Sequence, residues 1–146
     1  MFEKIAGVIK KAKNIIILPH KSADGDCLGS AFAFKLMLEK LDKNAIVLTE
    51  EENPKICGIL FGTAQNEQAV CDTVFAVDCG DISRLGSRYE IFRNCPVTVN
   101  IDHHDTNTKY AKYNYVDANA AATGEIMFGL MEYLKIPLTQ QIANNI

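Results

Sequence analysis

Three apolar runs in this chain each stop on a histidine or an aspartate, and this pattern constrains the fold more than any other feature. The runs and the residues that follow them are 15–19 with His20, 73–77 with Asp78, and 97–101 with Asp102. Each run lacks the polar alternation of a strand that has one face in solvent. Segments with helical spacing of apolar residues separate the runs. The pattern predicts an α/β protein with a mostly parallel sheet and helices on both faces.

Local signals place helices and strands in alternation along the chain. The predicted helices cover residues 2–13, 27–41, 54–61, 83–92 and 123–134, and the predicted strands cover residues 14–19, 44–49, 73–77, 96–101 and 113–116. A further helix begins after residues 137–139, with Thr139 as its N-cap. Because the sequence ends at Ile146, soon after this cap, we expect the fold to be incomplete at the C-terminus.

Composition excludes several classes of protein. A chain of 146 residues, 48% of them hydrophobic, has room for one globular domain. A net charge of −3 without a basic tract argues against binding to long duplex nucleic acid. No apolar stretch reaches the roughly 20 residues of a membrane span, and the first residues have the pattern of an amphipathic helix. We therefore expect a cytoplasmic protein that has no membrane partner.

The cysteine pattern indicates neither a disulfide framework nor a zinc-thiolate site. The five cysteines are odd in number, scattered, and without Cys-x2-Cys spacing. We predict that they serve as small buried apolar side chains.

All three histidines lie with aspartates at the predicted strand ends, where an α/β protein gathers its chemistry. The candidate site residues are His20, Asp24, Asp26, Asp78, Asp102, His103 and His104. Carboxylates and imidazoles without thiolate favour Mn²⁺, with Mg²⁺, Co²⁺ or Zn²⁺ as alternatives. Two such ions, roughly 3.5 to 4 Å apart, form a clamp for in-line attack on phosphorus and activate the attacking water.

Each motif also has a purely structural interpretation. Asp26 could cap the helix predicted to begin at Cys27, and His20 could be a hydrogen-bonded structural histidine. Residues 78–81 could be an ordinary turn, and residues 102–105 a solvated loop. The metal interpretation is favoured because independent turns would not concentrate every histidine of the chain beside acids at strand ends.

Three of these segments together resemble the motifs of the DHH superfamily of metal-dependent phosphoesterases. They are residues 20–26 (His-Lys-Ser-Ala-Asp-Gly-Asp), 77–81 (Val-Asp-Cys-Gly-Asp) and 102–104 (Asp-His-His), in the family's order and spacing. Residues 116–126 are most similar to the branch with bacterial oligoribonucleases (nanoRNases) and 3′-phosphoadenosine 5′-phosphate (pAp) phosphatases. The resemblance implies that residues 1–146 form most of a DHH catalytic domain, a Rossmann-like three-layer sandwich, without the family's C-terminal DHHA1 substrate-binding domain.

The resemblance also implies roles for the candidate residues. The implied ligands of the two Mn²⁺ ions are His20, Asp24 and Asp78 for the first, and Asp26, Asp78 and His103 for the second. His104 would contact the substrate phosphate or assist proton transfer, and Asp102 would orient the histidine pair. The family's last aspartate ligand falls beyond Ile146. Asp117 is interpreted as a cap or loop-fixing residue instead.

The function implied by the resemblance is hydrolysis of short oligonucleotides and of nucleoside bisphosphates such as pAp. A cyclic-dinucleotide phosphodiesterase or an inorganic pyrophosphatase is an alternative, because the motifs define the metal core and not the leaving group. An alternative of another class is a non-catalytic domain that binds metal or nucleotide, or that serves as a dimer interface; a homodimer is left open. We expect weak turnover from this chain alone, because one carboxylate and the substrate clamp are missing.

Overall fold

The centre of the computed structural model, which describes residues 2–50 and 70–146, is a five-stranded parallel sheet with the order β2-β1-β3-β4-β5. The strands are β1 Asn14–Pro19, β2 Asn44–Val47, β3 Thr73–Val77, β4 Val97–Asp102 and β5 Tyr113–Val116. The helices are α1 Phe2–Lys11, α2 Gly25–Lys40, α3 Tyr89–Asn94, α4 Thr123–Tyr133 and α5 Gln140–Ala143, with a 3₁₀ helix at Ile82–Arg88. The helix predicted at residues 54–61 lies outside the described residues.

The sheet is covered on both faces, which explains why its strands are apolar throughout. Ile15 and Ile17 of β1 belong to a core formed with α1, α2 and α4. Ile16 and Leu18 point to the opposite face and join a second core that includes Phe92 of α3. Both side-chain directions are therefore buried. The predicted α/β class, with a parallel sheet and helices on both faces, is confirmed.

The start of α2 differs from the prediction. The helix begins at Gly25, and its N-cap is Asp24, whose Oδ1 accepts the backbone N–H of Cys27 at 3.0 Å. The interpretation of Asp26 as the cap is wrong, because Asp24 has the extended backbone that a cap requires while Asp26 lies in the first helical turn. The carboxylate of Asp26 does not cap α2 and can bond to other segments.

The stretch predicted as one helix over residues 83–92 is two short helices. Gly86 lies within the 3₁₀ segment Ile82–Arg88 with φ of +61°, a left-handed conformation that interrupts helical geometry. A Cβ at this position would meet the carboxylate of Glu50 at 2.6 Å, so the glycine also makes room for that side chain. Glu50 uses the space to accept the backbone N–H of Ser87 at 3.0 Å.

The predicted cap at Thr139 is confirmed, since its Oγ1 accepts the N–H of Ile142 at 3.2 Å and α5 follows it. The helix α5 packs on α2 where Gly29 allows the backbone carbonyl of Asn145 to approach closely. In the described part of the chain, no helix combines the length and the apolar character needed to cross a membrane.

Candidate metal centre

The topology brings three polar strand ends to one edge of the sheet. Strand β3 lies between β1 and β4, and the register aligns Pro19 with Val77 and Val77 with Ile101. The next residue on each strand is His20, Asp78 or Asp102, and all three side chains are buried. This is the carboxyl edge of a parallel sheet, where α/β proteins place their sites.

Asp78 lies at the centre of this cluster. Its Oδ2 is 3.6 Å from Nε2 of His20, and its Oδ1 is 3.7 Å from Nε2 of His103 and 3.8 Å from Nδ1 of His104. The backbone of Asp78 has φ of +55°, a left-handed conformation that costs a non-glycine residue about 1 kcal/mol or more. Strain of this kind is retained where the surrounding structure requires one side-chain direction.

The environment of Asp78 disfavours the ionised form of its carboxyl group. Burial raises the pKa of its carboxyl group, and the negative charge of Asp26 raises it further. The Oγ1 of Thr123 donates a hydrogen bond to Oδ1 at 2.8 Å, and this bond lowers the pKa. The rings of His104 and His20 also lower it. The net effect is a buried carboxyl group that ionises reluctantly, and a bound cation is the partner that would reverse this.

The hydrogen bonds of His20 and His103 leave Nε2 of each ring available as a ligand. Nδ1 of His20 lies 2.7 Å from the carbonyl oxygen of Lys21, and Nδ1 of His103 lies 3.3 Å from that of Ala120. A carbonyl can only accept, so the proton of each ring belongs on Nδ1 and the lone pair on Nε2. Fixing a metal-binding imidazole in this way is common in proteins.

Arg84 provides a second neighbour for His20, because its Nη2 lies 3.0 Å from the same Nδ1. One ring nitrogen cannot both donate to a carbonyl and accept from a guanidinium. The backbone carbonyl is fixed, whereas the guanidinium ends a flexible side chain with other donors. We therefore assign the Nδ1 proton to the bond with Lys21, and Arg84 contributes a positive charge beside the site.

Asp26 joins the site to the start of α4. Its Oδ1 accepts the N–H of Gly124 at 2.9 Å and the hydroxyl of Ser30 at 3.2 Å, and its Oδ2 accepts the N–H of Thr123 at 2.9 Å. Helix α4 lacks a side-chain cap of its own, so this carboxylate satisfies its free N–H groups. The same Oδ2 lies 3.8 Å from Nε2 of His103, which places Asp26 across from Asp78.

Asp102 holds His104 at the rim of the site. Its Oδ1 lies 2.8 Å from Nδ1 of His104, and its Oδ2 accepts from Nδ2 of Asn107 at 2.6 Å. The hydrogen bond with Asp102 raises the pKa of His104, because the negative charge stabilises the imidazolium. His104 is partly exposed while Asp102 is fully buried. The pair therefore presents a readily protonated imidazole to solvent.

All the predicted site residues except Asp24 are joined by these contacts. Two groups among the described residues have spacing compatible with a metal ion: His20 with Cys27 and Asp78, and Asp78 with His103 and His104. Asp24 belongs to neither group, because it is exposed and its Oδ1 caps α2. Asp117 is placed as predicted for a loop-fixing residue, with Oδ1 accepting the N–H of Asn119 at 3.1 Å.

Sequence reasoning missed Cys27 and Thr123 as neighbours of the site. The Cys27 thiol accepts the N–H of His20 at 3.2 Å, and burial, assisted by the charge of Asp78, raises its pKa well above the usual value. In the metal-free protein Cys27 is therefore a neutral, buried thiol, as the sequence predicted for the cysteines, whereas Cys71 is only partly buried. Thr123 could have been suspected from its place just before Gly124 at a helix start, where backbone N–H groups meet anions.

A comparison with known sequences identifies the family. The profile named "DHH family, N-terminal domain" matches residues 14–146. The chain belongs to the DHH family. The resemblance carried by the strand-end motifs is thus confirmed.

Two relatives of this DHH chain have named activities. The bifunctional oligoribonuclease and PAP phosphatase NrnA of Thermus thermophilus is 30% identical over 146 residues, covering 95% of this chain and 43% of that protein. The probable bifunctional oligoribonuclease and PAP phosphatase NrnA of Streptococcus mutans is 27% identical over 139 residues, covering 92% of this chain and 44% of that protein. The chain therefore spans less than half the length of these relatives.

A solved structure shows the same fold. The crystal structure of an exopolyphosphatase-related protein from Bacteroides fragilis superposes with a TM-score of 0.81 at 18% identity. The match covers 98% of this chain and 44% of that chain. At this identity the likeness is evidence for the shared fold alone.

Proposed function

We propose that this DHH domain is the catalytic core of a metal-dependent phosphoesterase that hydrolyses short oligonucleotides and 3′,5′-nucleoside bisphosphates. The observation that carries the proposal is the position of Asp78, buried and faced by Nε2 of both His20 and His103. The activities named for the relatives from Thermus thermophilus and Streptococcus mutans support the substrate class.

The donor chemistry of the site suits a pair of divalent ions, although Asp24 lies outside both groups of residues with metal-compatible spacing. His20, Asp24 and Asp78 would hold one ion, and Asp26, Asp78 and His103 would hold the other. Nitrogen and carboxylate oxygen donors suit Mn²⁺, with Mg²⁺ or Co²⁺ as alternatives. When bound, the ions supply charge neutralisation at the phosphate and lower the pKa of the attacking water.

The chain's own residues supply orientation and a proton. His104 would contact a phosphate oxygen or donate its proton to the leaving oxygen, because its imidazolium persists to higher pH than an ordinary histidine. Asp102 holds the ring by the 2.8 Å contact and stabilises its positive charge. Asp26 keeps the start of α4 against the site, so Thr123 remains in contact with Asp78.

The proposed function includes a cellular setting and a domain organisation for the whole protein. The expected setting is the cytoplasm, and a homodimer is compatible with the proposal. Residues 1–146 would supply the catalytic DHH domain, and a DHHA1 domain would be a separate unit that binds the far end of the substrate. The extent of the relatives, which are more than twice as long, supports this division.

The test is a hydrolysis assay with Mn²⁺ on pApA, pAp, cyclic di-AMP and pyrophosphate, run on this chain and on a version extended past Ile146. The Asp78→Asn variant should lose all turnover, while Asp105→Asn, a matched change at an exposed position, should retain it. Cleavage of pApA and pAp supports the proposal. Cleavage of cyclic di-AMP alone, or of pyrophosphate alone, would indicate a cyclic-dinucleotide phosphodiesterase or an inorganic pyrophosphatase instead.

Metal binding provides a second readout that does not depend on turnover. Titration of the chain with Mn²⁺, followed by calorimetry or electron paramagnetic resonance, should show saturable binding that Asp78→Asn removes. Binding without hydrolysis of any substrate by the extended protein would indicate a non-catalytic metal-binding domain instead. Absence of binding would contradict the assignment of the site.

A further inference from the structure

Two cysteines face each other at the opposite edge of the sheet from the candidate metal centre. Cys71 lies two residues before β3 and Cys95 two residues before β4, and Thr73 pairs with Val97 in the register of these strands. Counting two residues back on each strand places Cys71 beside Cys95. Their Sγ atoms are 2.9 Å apart, and both are free thiols.

We propose that Cys71 and Cys95 are a modification site at which an oxidant of the peroxide class forms a reversible disulfide. The two side chains already point at each other from adjacent strands, so the bond requires only a small approach of the sulfur atoms. Cys71 is only partly buried, and the neighbouring Val70 is exposed, so a small oxidant can reach the pair. The inference is independent of the proposed phosphoesterase function.

The contact between the thiols makes their roles unequal. Cys71 donates its S–H to the Cys95 sulfur, which lowers the pKa of Cys95, while the same hydrogen bond followed by burial raises that of Cys71. Cys95 is therefore the thiolate that reacts first, and Cys71 is the thiol that completes the bond.

The reaction balances with hydrogen peroxide as oxidant. The Cys95 thiolate attacks one peroxide oxygen, the O–O bond breaks, and hydroxide leaves and takes up the proton lost by Cys95. The Cys71 sulfur then attacks the Cys95 sulfenic acid, the S–O bond breaks, and the departing hydroxide takes the Cys71 proton. Two thiols and one peroxide thus yield one disulfide and two waters. A thiol reductant reverses the modification by exchange.

The bond would join β3 and β4, two of the three strands whose ends form the candidate metal centre. Strand β3 leads to Asp78 and strand β4 ends at Asp102, both at the far ends of these strands from the cysteines. The closed loop, residues 71–95, includes the 3₁₀ helix and α3. Restricting this loop in the unfolded chain should stabilise the oxidised protein.

The experiment treats the reduced protein with hydrogen peroxide and maps its cysteines by mass spectrometry. Sequential digestion with trypsin, Glu-C and Asp-N places Cys57, Cys71, Cys79 and Cys95 on separate peptides, because the sequence has cleavage sites between each pair. The expected result is a cross-linked pair of the Cys71 and Cys95 peptides that dithiothreitol separates. Thermal unfolding should show a rise in Tm of about 5 °C on oxidation.

Cys71→Ser and Cys95→Ser provide the matched controls, and each should lose both the cross-linked peptide and the rise in Tm. The peptide map of the unmodified protein does not depend on how well these variants fold. A disulfide from either residue to Cys57 or Cys79 would overturn the proposal. So would oxidation to sulfinic acid without a cross-link, or retention of two free thiols.

Discussion

Asp78 and Glu50 are two carboxylates that the fold treats in opposite ways. Asp78, in the candidate metal centre, is buried and receives one strong hydrogen bond, from Thr123, and burial raises its pKa. Glu50, away from that centre, accepts the N–H of Ser87 at 3.0 Å, its hydroxyl at 3.0 Å, and Nε of Arg88 at 3.1 Å. These bonds, the backbone N–H first, lower the pKa of Glu50.

The carboxylate of Glu50 stabilises the fold, whereas that of Asp78 is suited to bind a cation. Donors of the chain satisfy Glu50, so its negative charge adds to stability. Asp78 is held in a left-handed backbone conformation near the second negative charge of Asp26, so its ionisation costs stability. A cation between Asp78 and Asp26 would recover that cost. Binding and stability are therefore opposed at Asp78, whereas the charge of Glu50 supports stability.

The largest expected effect is that of Asp78→Asn on the metal centre. We expect Mn²⁺ binding and hydrolysis to fall by more than about 100-fold, because changes to outer-shell partners alone cost 10–100-fold. The metal-free protein should become more stable at pH 7, since the amide avoids the cost of a buried charge. Calorimetry with Mn²⁺ and denaturant unfolding with chelator measure the two effects.

The pH dependence provides an internal check on this prediction. The raised pKa of Asp78 means that the cost of ionisation is complete above the folded pKa and vanishes below the unfolded value of about 3.9. The gain in stability of the metal-free protein from Asp78→Asn should therefore be present at pH 7 and disappear below about pH 4. Asp105→Asn, at an exposed position, should change neither Mn²⁺ binding nor the stability of the metal-free protein. A metal-free variant that is less stable at pH 7 would contradict the contrast with Glu50.

The next effect in size is the stabilisation of the unmodified protein by its metal. Mn²⁺ at 100 times its dissociation constant should stabilise the fold by about 2.7 kcal/mol, which corresponds to a rise in Tm of several degrees. Chelation should reverse the rise. Scanning calorimetry of Asp78→Asn should show no shift at the same Mn²⁺ concentration, whereas an equal shift would locate the binding elsewhere.

A smaller effect is expected at Asp102, which acts through His104. Asp102→Asn should lower the pKa of His104 towards the ordinary value of about 6.5, because the hydrogen bond to the carboxylate is the main cause of its elevation. NMR titration of the metal-free protein measures this directly. Hydrolysis should fall about 10–100-fold, and the alkaline limb of the pH profile should move to lower pH.

The Asp102→Asn measurements distinguish a residue that positions His104 from one that only packs in the core. A variant that lost activity without any movement of the His104 titration or of the pH profile would indicate a purely structural role. Asp105→Asn again serves as the control, because it removes a carboxylate from the same loop at an exposed position.

Sequence alone could predict the parallel sheet and which side chains meet at the candidate site, because both follow from where apolar runs stop. Adjacent parallel strands end at one edge, so His20, Asp78 and Asp102 had to come close once the strands were correctly identified. The burial of both faces was visible in the absence of polar alternation. These features depend on local pattern and on topology, and a sequence carries both.

The errors came from contacts between distant segments. The cap of α2 is Asp24 and not Asp26, whose carboxylate instead accepts the N–H groups of Thr123 and Gly124 at the start of another helix that has no side-chain cap of its own. The left-handed backbone of Asp78 likewise has no local signature, because aspartate rarely adopts it without tertiary support. Long-range hydrogen bonds account for the first of these features.

The smallest expected effect completes the comparison at Glu50. Glu50→Gln removes the charge while keeping the size of the side chain, and we expect it to destabilise the protein by about 1 kcal/mol at pH 7, because charge-assisted bonds to Ser87 and Arg88 are weakened. Metal binding should be unchanged, since Glu50 bonds to Ser87 and Arg88 and not to a proposed ligand. Glu132→Gln, on an exposed part of α4, should change stability by less than about 0.5 kcal/mol.

The sign of the pH dependence at Glu50 is opposite to that at Asp78. A lowered folded pKa means that the stabilisation by Glu50 is complete above its unfolded pKa of about 4.3 and is lost as the pH falls through the folded value. Urea unfolding of the unmodified and Glu50→Gln proteins should therefore diverge at pH 7 and converge in acid. The same change that weakens the protein at Glu50 would strengthen it at Asp78. An equal loss at pH 3 and pH 7 would show that Glu50 acts through its shape, and the contrast between the two carboxylates would then fail.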